Sequence, residues 1–174
     1  MTLIEYRGDG PSVVADDWVK VSDEEALPTG YPAIVSISRW KAQRDELSGR
    51  NQPLGVRLES HERIEEILAD LPKFSLIALD FPNLNDGRHF TWARLLRERF
   101  GFEGQIRATG QVLRDQVAFM RRCVFDAFEL PSDKDLHATL GAFREISVVY
   151  QPGLDSRATA SARRRRQWDP APAC

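Results

Sequence analysis

The stretch 74–130 alternates apolar runs with helical patterns, and polar groups stand where the apolar runs stop. Residues 74–79 form a mostly apolar run that ends in Asp80. The next run, 105–109, ends at Gly110, and a third covers 126–130. Short continuous apolar runs separated by amphipathic helices are the pattern of a parallel sheet with helical crossovers. In such sheets ligands bind outside the carboxyl ends of the strands. The pattern therefore places a site before it says what the site does.

The repeat extends in both directions. Strands are expected at 33–37 and 54–58, ahead of those at 74–80, 105–109 and 126–130, with a sixth at 146–150. Between the second and third strands, Ile64, Ile67, Leu68 and Leu71 recur at i, i+3, i+4 and i+7, one buried helical face. Leu113, Val117, Met120 and Val124 also stand at helical spacing, and Gly101 is placed to cap the preceding helix. Ser132 with Asp135 resembles a capping box with Asp in place of Glu. The expected fold is a three-layer α/β/α sandwich with a mostly parallel five- or six-stranded sheet, flavodoxin-like or receiver-like. The units are too few for a closed eight-fold barrel, and a half-barrel is the lesser alternative.

The flanks read differently. Residues 1–30 look like an N-terminal hairpin and linker appended to an α/β domain at 31–153: a turn cluster at 6–11, a β-leaning stretch at 13–21, then an acidic linker. Residues 154–174, with four consecutive arginines at 163–166, are too polar to build a core and are expected to be a disordered tail.

Bulk properties exclude several classes. A chain of 174 residues suits one domain. A formal net charge of -2 gives no general pull toward nucleic acid or an anionic membrane. No apolar run reaches the ~18 residues of a membrane span, and the N-terminus lacks a signal-peptide pattern, so a cytoplasmic location is expected. Cys123 and Cys174 make neither a disulfide framework nor a metal or redox motif. His61, His89 and His137 are scattered among helix starts, so no histidine-based metal site is expected. There is no glycine-rich dinucleotide or phosphate loop and no nucleophile elbow, and no cofactor can be named.

Candidate chemistry gathers at the strand ends. Asp80 is a candidate base, metal ligand or anchor for a substrate cation. Arg107 lies inside a strand, where a long cation needs a carboxylate such as Asp80 or Glu129, or a bound anion. With Arg88 and Arg114 it forms a candidate anion-binding set, next to the free amides that open the helix after Gly110. Asp86, Thr109, Asp115, Gln116 and Glu129 are the supporting polar groups, and Arg39, Arg57 and Glu59 add charge to the same rim.

Two blocks carry a resemblance. Leu79-Asp80-Phe81-Pro82, Asp86-Gly87-Arg88 and residues 93–101 form the first; residues 110–116 and 121–130 form the second. They resemble a family of uncharacterised bacterial proteins commonly labelled as oxidoreductases of sulfite reduction, whose genes accompany assimilatory sulfite reductase. Asp16-Asp17-Trp18 and Tyr150-Gln151-Pro152 also fit. Val124 stands where that family's pattern has glycine. The resemblance implies an accessory protein of sulfite reduction, with the reductase or a small oxyanion as partner. An oxidoreductase or other enzyme using Asp80 is the alternative. A weaker likeness to receiver domains supports a further alternative, a degenerate interaction module: Ser38-Arg39 and Pro131-Ser132 replace the acidic pair and the lysine that phosphotransfer needs.

Overall fold

Eight strands form one sheet, and the run of parallel strands within it never reverses direction. The computed structural model describes residues 1–174 apart from 9, 84, 132–134, 156 and 169–174. Strands β1 (Thr2–Arg7) and β2 (Gly10–Val14) make a hairpin, followed by β3 (Val19–Lys20), β4 (Ala33–Ser36), β5 (Leu54–Leu58), β6 (Leu76–Phe81), β7 (Gln105–Gly110) and β8 (Ala127–Leu130). Their order across the sheet is β2-β1-β8-β7-β6-β5-β4-β3. The five pairings from β3 to β8 are parallel, and β1 is antiparallel to both β2 and β8.

That order corrects the expected sandwich. A doubly wound sheet needs a point where the strand order reverses, so that helices fall on both faces. Here each parallel strand lies beside the one before it, and right-handed crossovers then send every helix to the same face. Helices α1 (Ile37–Ala42), α2 (Arg44–Ser48), α3 (Arg88–Glu98), α4 (Arg114–Arg122) and α5 (Leu136–Glu145), with a 3-10 helix at Ile64–Lys73, supply that layer. The main core lies between them and the sheet: Val35, Val56, Ile77, Ile106 and Phe128 pack with Trp40, Ile67, Leu96, Val117 and Phe143. The sequential order likewise differs from that of receiver domains.

The other face is concave. Val14 ends β2 at one edge and Val19 begins β3 at the other. The chain between them reaches at most about 18 Å, whereas eight strands laid flat span roughly 34 Å. The sheet is therefore curled into a half-barrel, and residues 15–18 strap its edges together. Trp18 on the strap packs on Ile34, Leu76 and Ala78, a small second core with no helix in it.

Further differences concern the ends. Five of the six expected strands are present, but 146–150 is not a strand; Val149 makes only an isolated bridge to Thr159. The sixth parallel strand is β3 instead. The hairpin is part of the main sheet through β1 and β8. Within the expected disordered tail, Ala160–Trp168 form helix α6, and Arg163 donates to the Ser147 carbonyl at 3.2 Å. The capping box at Ser132 lies outside the described residues, while Asp135 caps α5 by accepting from the Ala138 amide at 2.9 Å. Among the described residues no helix is long and apolar enough to cross a membrane.

Candidate functional site at the mouth of the half-barrel

Strand register fixes which side chains share the concave face. Ser36, Arg57, Ala78, Arg107 and Ala127 form one row across neighbouring strands. Two residues further along, nearer the carboxyl ends, Asp80 pairs in register with Thr109, and Glu59 and Glu129 occupy the same level by the strand period of two. Ser36, Arg57 and Arg107 in the first row and Glu59, Asp80, Thr109 and Glu129 in the second thus face the inside of the curl.

Arg107 sits at the centre, fully buried. Its Nη1 donates to Asp16 Oδ2 at 2.9 Å, Asp16 Oδ1 at 3.0 Å and Glu129 Oε1 at 3.3 Å, while Nε donates to Gln105 Oε1 at 3.0 Å. Lys20 ion-pairs with the other oxygen of Glu129. Two cations and two carboxylates balance inside the curl, which is what a desolvated charge requires. Glu129 is thus a partner of Arg107; Asp16 and Lys20, its other associates, come from the strap and β3.

The expected anion-binding set does not converge. Arg88 is held by Asp86 at 2.6 Å and by the Ser60 hydroxyl at 3.2 Å. That contact, with Ser60, keeps the Asp86 carboxyl well below the usual range. Arg114 points to α5, pairing with Glu145 and donating to the Ala138 carbonyl at 3.2 Å. Asp115 is exposed and Gln116 half-buried in the same first turn. Asp80 is half-buried, and the Thr109 hydroxyl donates to its Oδ1 at 2.9 Å. Arg39 is buried behind the rim, donating to the Ser22 carbonyl and to Gln43.

The large opening lies to one side, over the carboxyl ends of β3, β4 and β5. It is a cleft of about 700 Å³ lined by Lys20, Arg57 and His61 and by five carboxylates: Asp23, Glu24, Glu25, Glu59 and Glu62. Arg57 pairs with Glu59 at 3.1 Å. Among the described residues the other four carboxylates make no ion pair. Asp23 accepts from Ser36, whose hydroxyl also caps α1. The Ser22 amide donates to Glu25 at 2.9 Å and holds its carboxyl below the ordinary value. The chain belongs to a bacterial protein family of unknown function, DUF934. Its model matches residues 55–161. No curated protein and no solved structure matches the chain. The DUF934 segment contains Arg57, Asp80, Arg107 and Glu129, whereas Asp16, Lys20 and the acidic stretch 23–25 precede it.

Sequence reasoning passed over His89. It is fully buried at the start of α3, edge-on to Phe81 at 5.6 Å, and among the described residues neither ring nitrogen has a hydrogen-bond partner. Burial pushes its pKa down to about 4, against the pull of Asp86 and Asp80. Histidine count and spacing carry no sign of this; the signal available was the position of His89 between an apolar strand end and a helix. Cys123 is partly buried against the core and burial raises its thiol pKa, so it is a poor nucleophile. Among the described residues no group of three or more His, Cys, Asp or Glu is placed to hold a metal ion.

Proposed function

We propose that this DUF934 protein is an accessory protein of assimilatory sulfite reduction that acts by docking onto the reductase with its acidic mouth. The pathway rests on the resemblance carried by residues 79–101 and 110–130. The mode of action rests on charge. Five carboxylates against two permanent cations line the cleft, and four of the five have no ion-pair partner among the described residues. A free oxyanion entering there meets a net negative wall. Arg88, Arg107 and Arg114, the residues expected to attract one, are each neutralised where they stand. A basic segment of a partner protein matches the lining in sign, and charge matching of this kind speeds encounter and fixes register.

The test is titration of purified sulfite reductase into this protein at two ionic strengths. Binding is expected to weaken as salt rises, because exposed charges are screened. It is expected to fall at least tenfold when Asp23, Glu24, Glu25 and Glu62 are changed together to Asn and Gln. Absence of binding, or binding indifferent to both changes, rejects the proposal.

One observation favours the enzyme alternative: Asp80 is half-buried at a strand end with Thr109 orienting it. A chromophore in the purified protein, or turnover without the reductase that Asp80→Asn abolishes, would select that reading.

A further inference from the structure

We infer that the protein carries a small-oxyanion site at the end of the sheet opposite the mouth, built by Arg121, Arg122 and Arg157. These three residues line a cavity of about 90 Å³ together with Tyr6, Ala118, Phe143 and Asp155. The site lies near the amino-terminal end of β8, since the Tyr6 amide donates to the Asp126 carbonyl just before that strand. It shares no residue with the mouth and does not rest on the docking proposal.

Each guanidinium is held in place, and Arg122 alone of the three spends its charge on a carboxylate. Arg121 lies over the Tyr6 ring at 4.6 Å, a cation–π contact that orients the fork. Arg157 Nη1 donates to the Ile146 carbonyl at 3.0 Å. Arg122 donates from Nη2 to the Gln151 carbonyl at 2.6 Å and from Nε to Asp155 Oδ2 at 3.1 Å. The other Asp155 oxygen accepts from the Arg157 amide at 3.4 Å. Among the described residues Arg121 and Arg157 pair with no carboxylate. Three cations therefore face one anion, a formal surplus of +2 in a chain whose net charge is -2.

Size and walls select the ligand. A water molecule takes about 30 Å³ of liquid volume, so the cavity has room for roughly three. That suits a pyramidal or tetrahedral oxyanion of four or five heavy atoms. Planar forks match such oxygens two at a time. Phe143 and Ala118 give the cavity an apolar side, where charge interactions are stronger than in bulk water. Gly153 is part of the construction: a Cβ there would lie 2.9 Å from Arg122 Nη2. The ligand class is a divalent inorganic oxyanion, with sulfite, sulfate and phosphate as the probes.

Isothermal titration of the full chain with each probe in a chloride-free buffer tests the site. One-to-one binding is expected, weakened at least tenfold by Arg121→Gln and by Arg157→Gln. Arg157→Lys, which keeps the charge and loses the fork, should fall between. Arg164→Gln, an exposed arginine on α6, should bind as the unaltered protein does. If Arg157→Gln does not fold, the comparison passes to thermal melting: the oxyanion should raise the Tm of the unaltered protein and not that of Arg121→Gln. The inference is overturned if no probe binds at millimolar concentration, if Arg121 and Arg157 prove indifferent, or if Arg164→Gln weakens binding equally.

Discussion

Lys20 and Glu129 are ion-paired across the inside of the sheet although β4, β5, β6 and β7 lie between their strands. Laid flat, that separation is roughly 24 Å, far beyond a lysine's reach. The pair exists because the sheet curls, and the Asp16–Arg107 contact crosses the same interior at 2.9 Å. The strap, the curl and the buried charges are thus one arrangement. Glu129→Gln leaves Arg107 with Asp16 as its one carboxylate and takes away the carboxylate that Lys20 pairs with, and losing a buried partner costs about 3–5 kcal/mol. Because Asp16 remains, the low end of that range is expected. Lys20→Met should cost about 1 kcal/mol or less, since Lys20 is half in solvent. Urea denaturation of both variants is the check. Equal losses would mean that Arg107 does not depend on Glu129.

Val124 has φ 67°, the left-handed region, directly after the last turn of α4. The amides of Val124 and Phe125 close the turn onto the carbonyls of Arg121 and Met120 at 3.0 and 3.2 Å. Glycine adopts this conformation freely; a β-branched residue pays about 1–2 kcal/mol for it. The glycine expected at this position from the family pattern is what the backbone asks for. Val124→Gly should raise the melting temperature by several degrees. An unchanged or lower Tm would show that the Val124 side chain contributes packing that offsets the strain.

Much of the curl was legible in β7. The polar Gln105, Arg107 and Thr109 alternate with the apolar Ile106 and Ala108. A strand covered by helices on both faces is apolar on both, so this alternation marks a face without helices. Leu54-Gly55-Val56-Arg57-Leu58 repeats it in β5. By contrast, the run 76–79 is apolar on both faces because Trp18 covers its concave side, and that run alone suggests a sandwich. Strand positions came from local periodicity, whereas strand order is a long-range property that alternating elements do not encode. The partners of Arg107 show the same limit. Glu129 was named from the sequence, but Asp16 stands 91 residues away in a segment read as an appendage.

Gly110 joins the end of β7 to the turn before α4 with φ 82°. A Cβ there would meet the Phe81 carbonyl oxygen at 2.4 Å, at the end of β6 beside Asp80. Gly110→Ala therefore forces apart the two strand ends that set the Asp80–Thr109 hydrogen bond. A loss of about 2 kcal/mol or more is expected, from backbone strain and clash together. Thr109→Val removes the hydroxyl without moving the backbone and should cost about 1 kcal/mol. Hydrogen exchange at the amides of 80–82 and 109–111 separates the two, with faster exchange expected in Gly110→Ala alone. Equal protection in both variants would mean that the strand ends absorb the extra carbon without parting.

His89 makes stability depend on pH. In the folded chain burial lowers its pKa to about 4, from an ordinary 6.5. Between those values the unfolded chain binds a proton at this residue that the folded chain does not. Stability therefore falls as the solution is acidified from pH 6.5 toward 4, and the full contribution is present above 6.5. A shift of this size corresponds to about 3 kcal/mol at its limit. His89→Phe fills the same space against Phe81 and cannot take a proton. Its melting temperature should drop less than that of the unaltered protein between pH 7 and pH 4.5. Parallel melting curves for the two proteins over that range would show that the buried imidazole does not control acid stability, and that carboxylate protonation dominates instead.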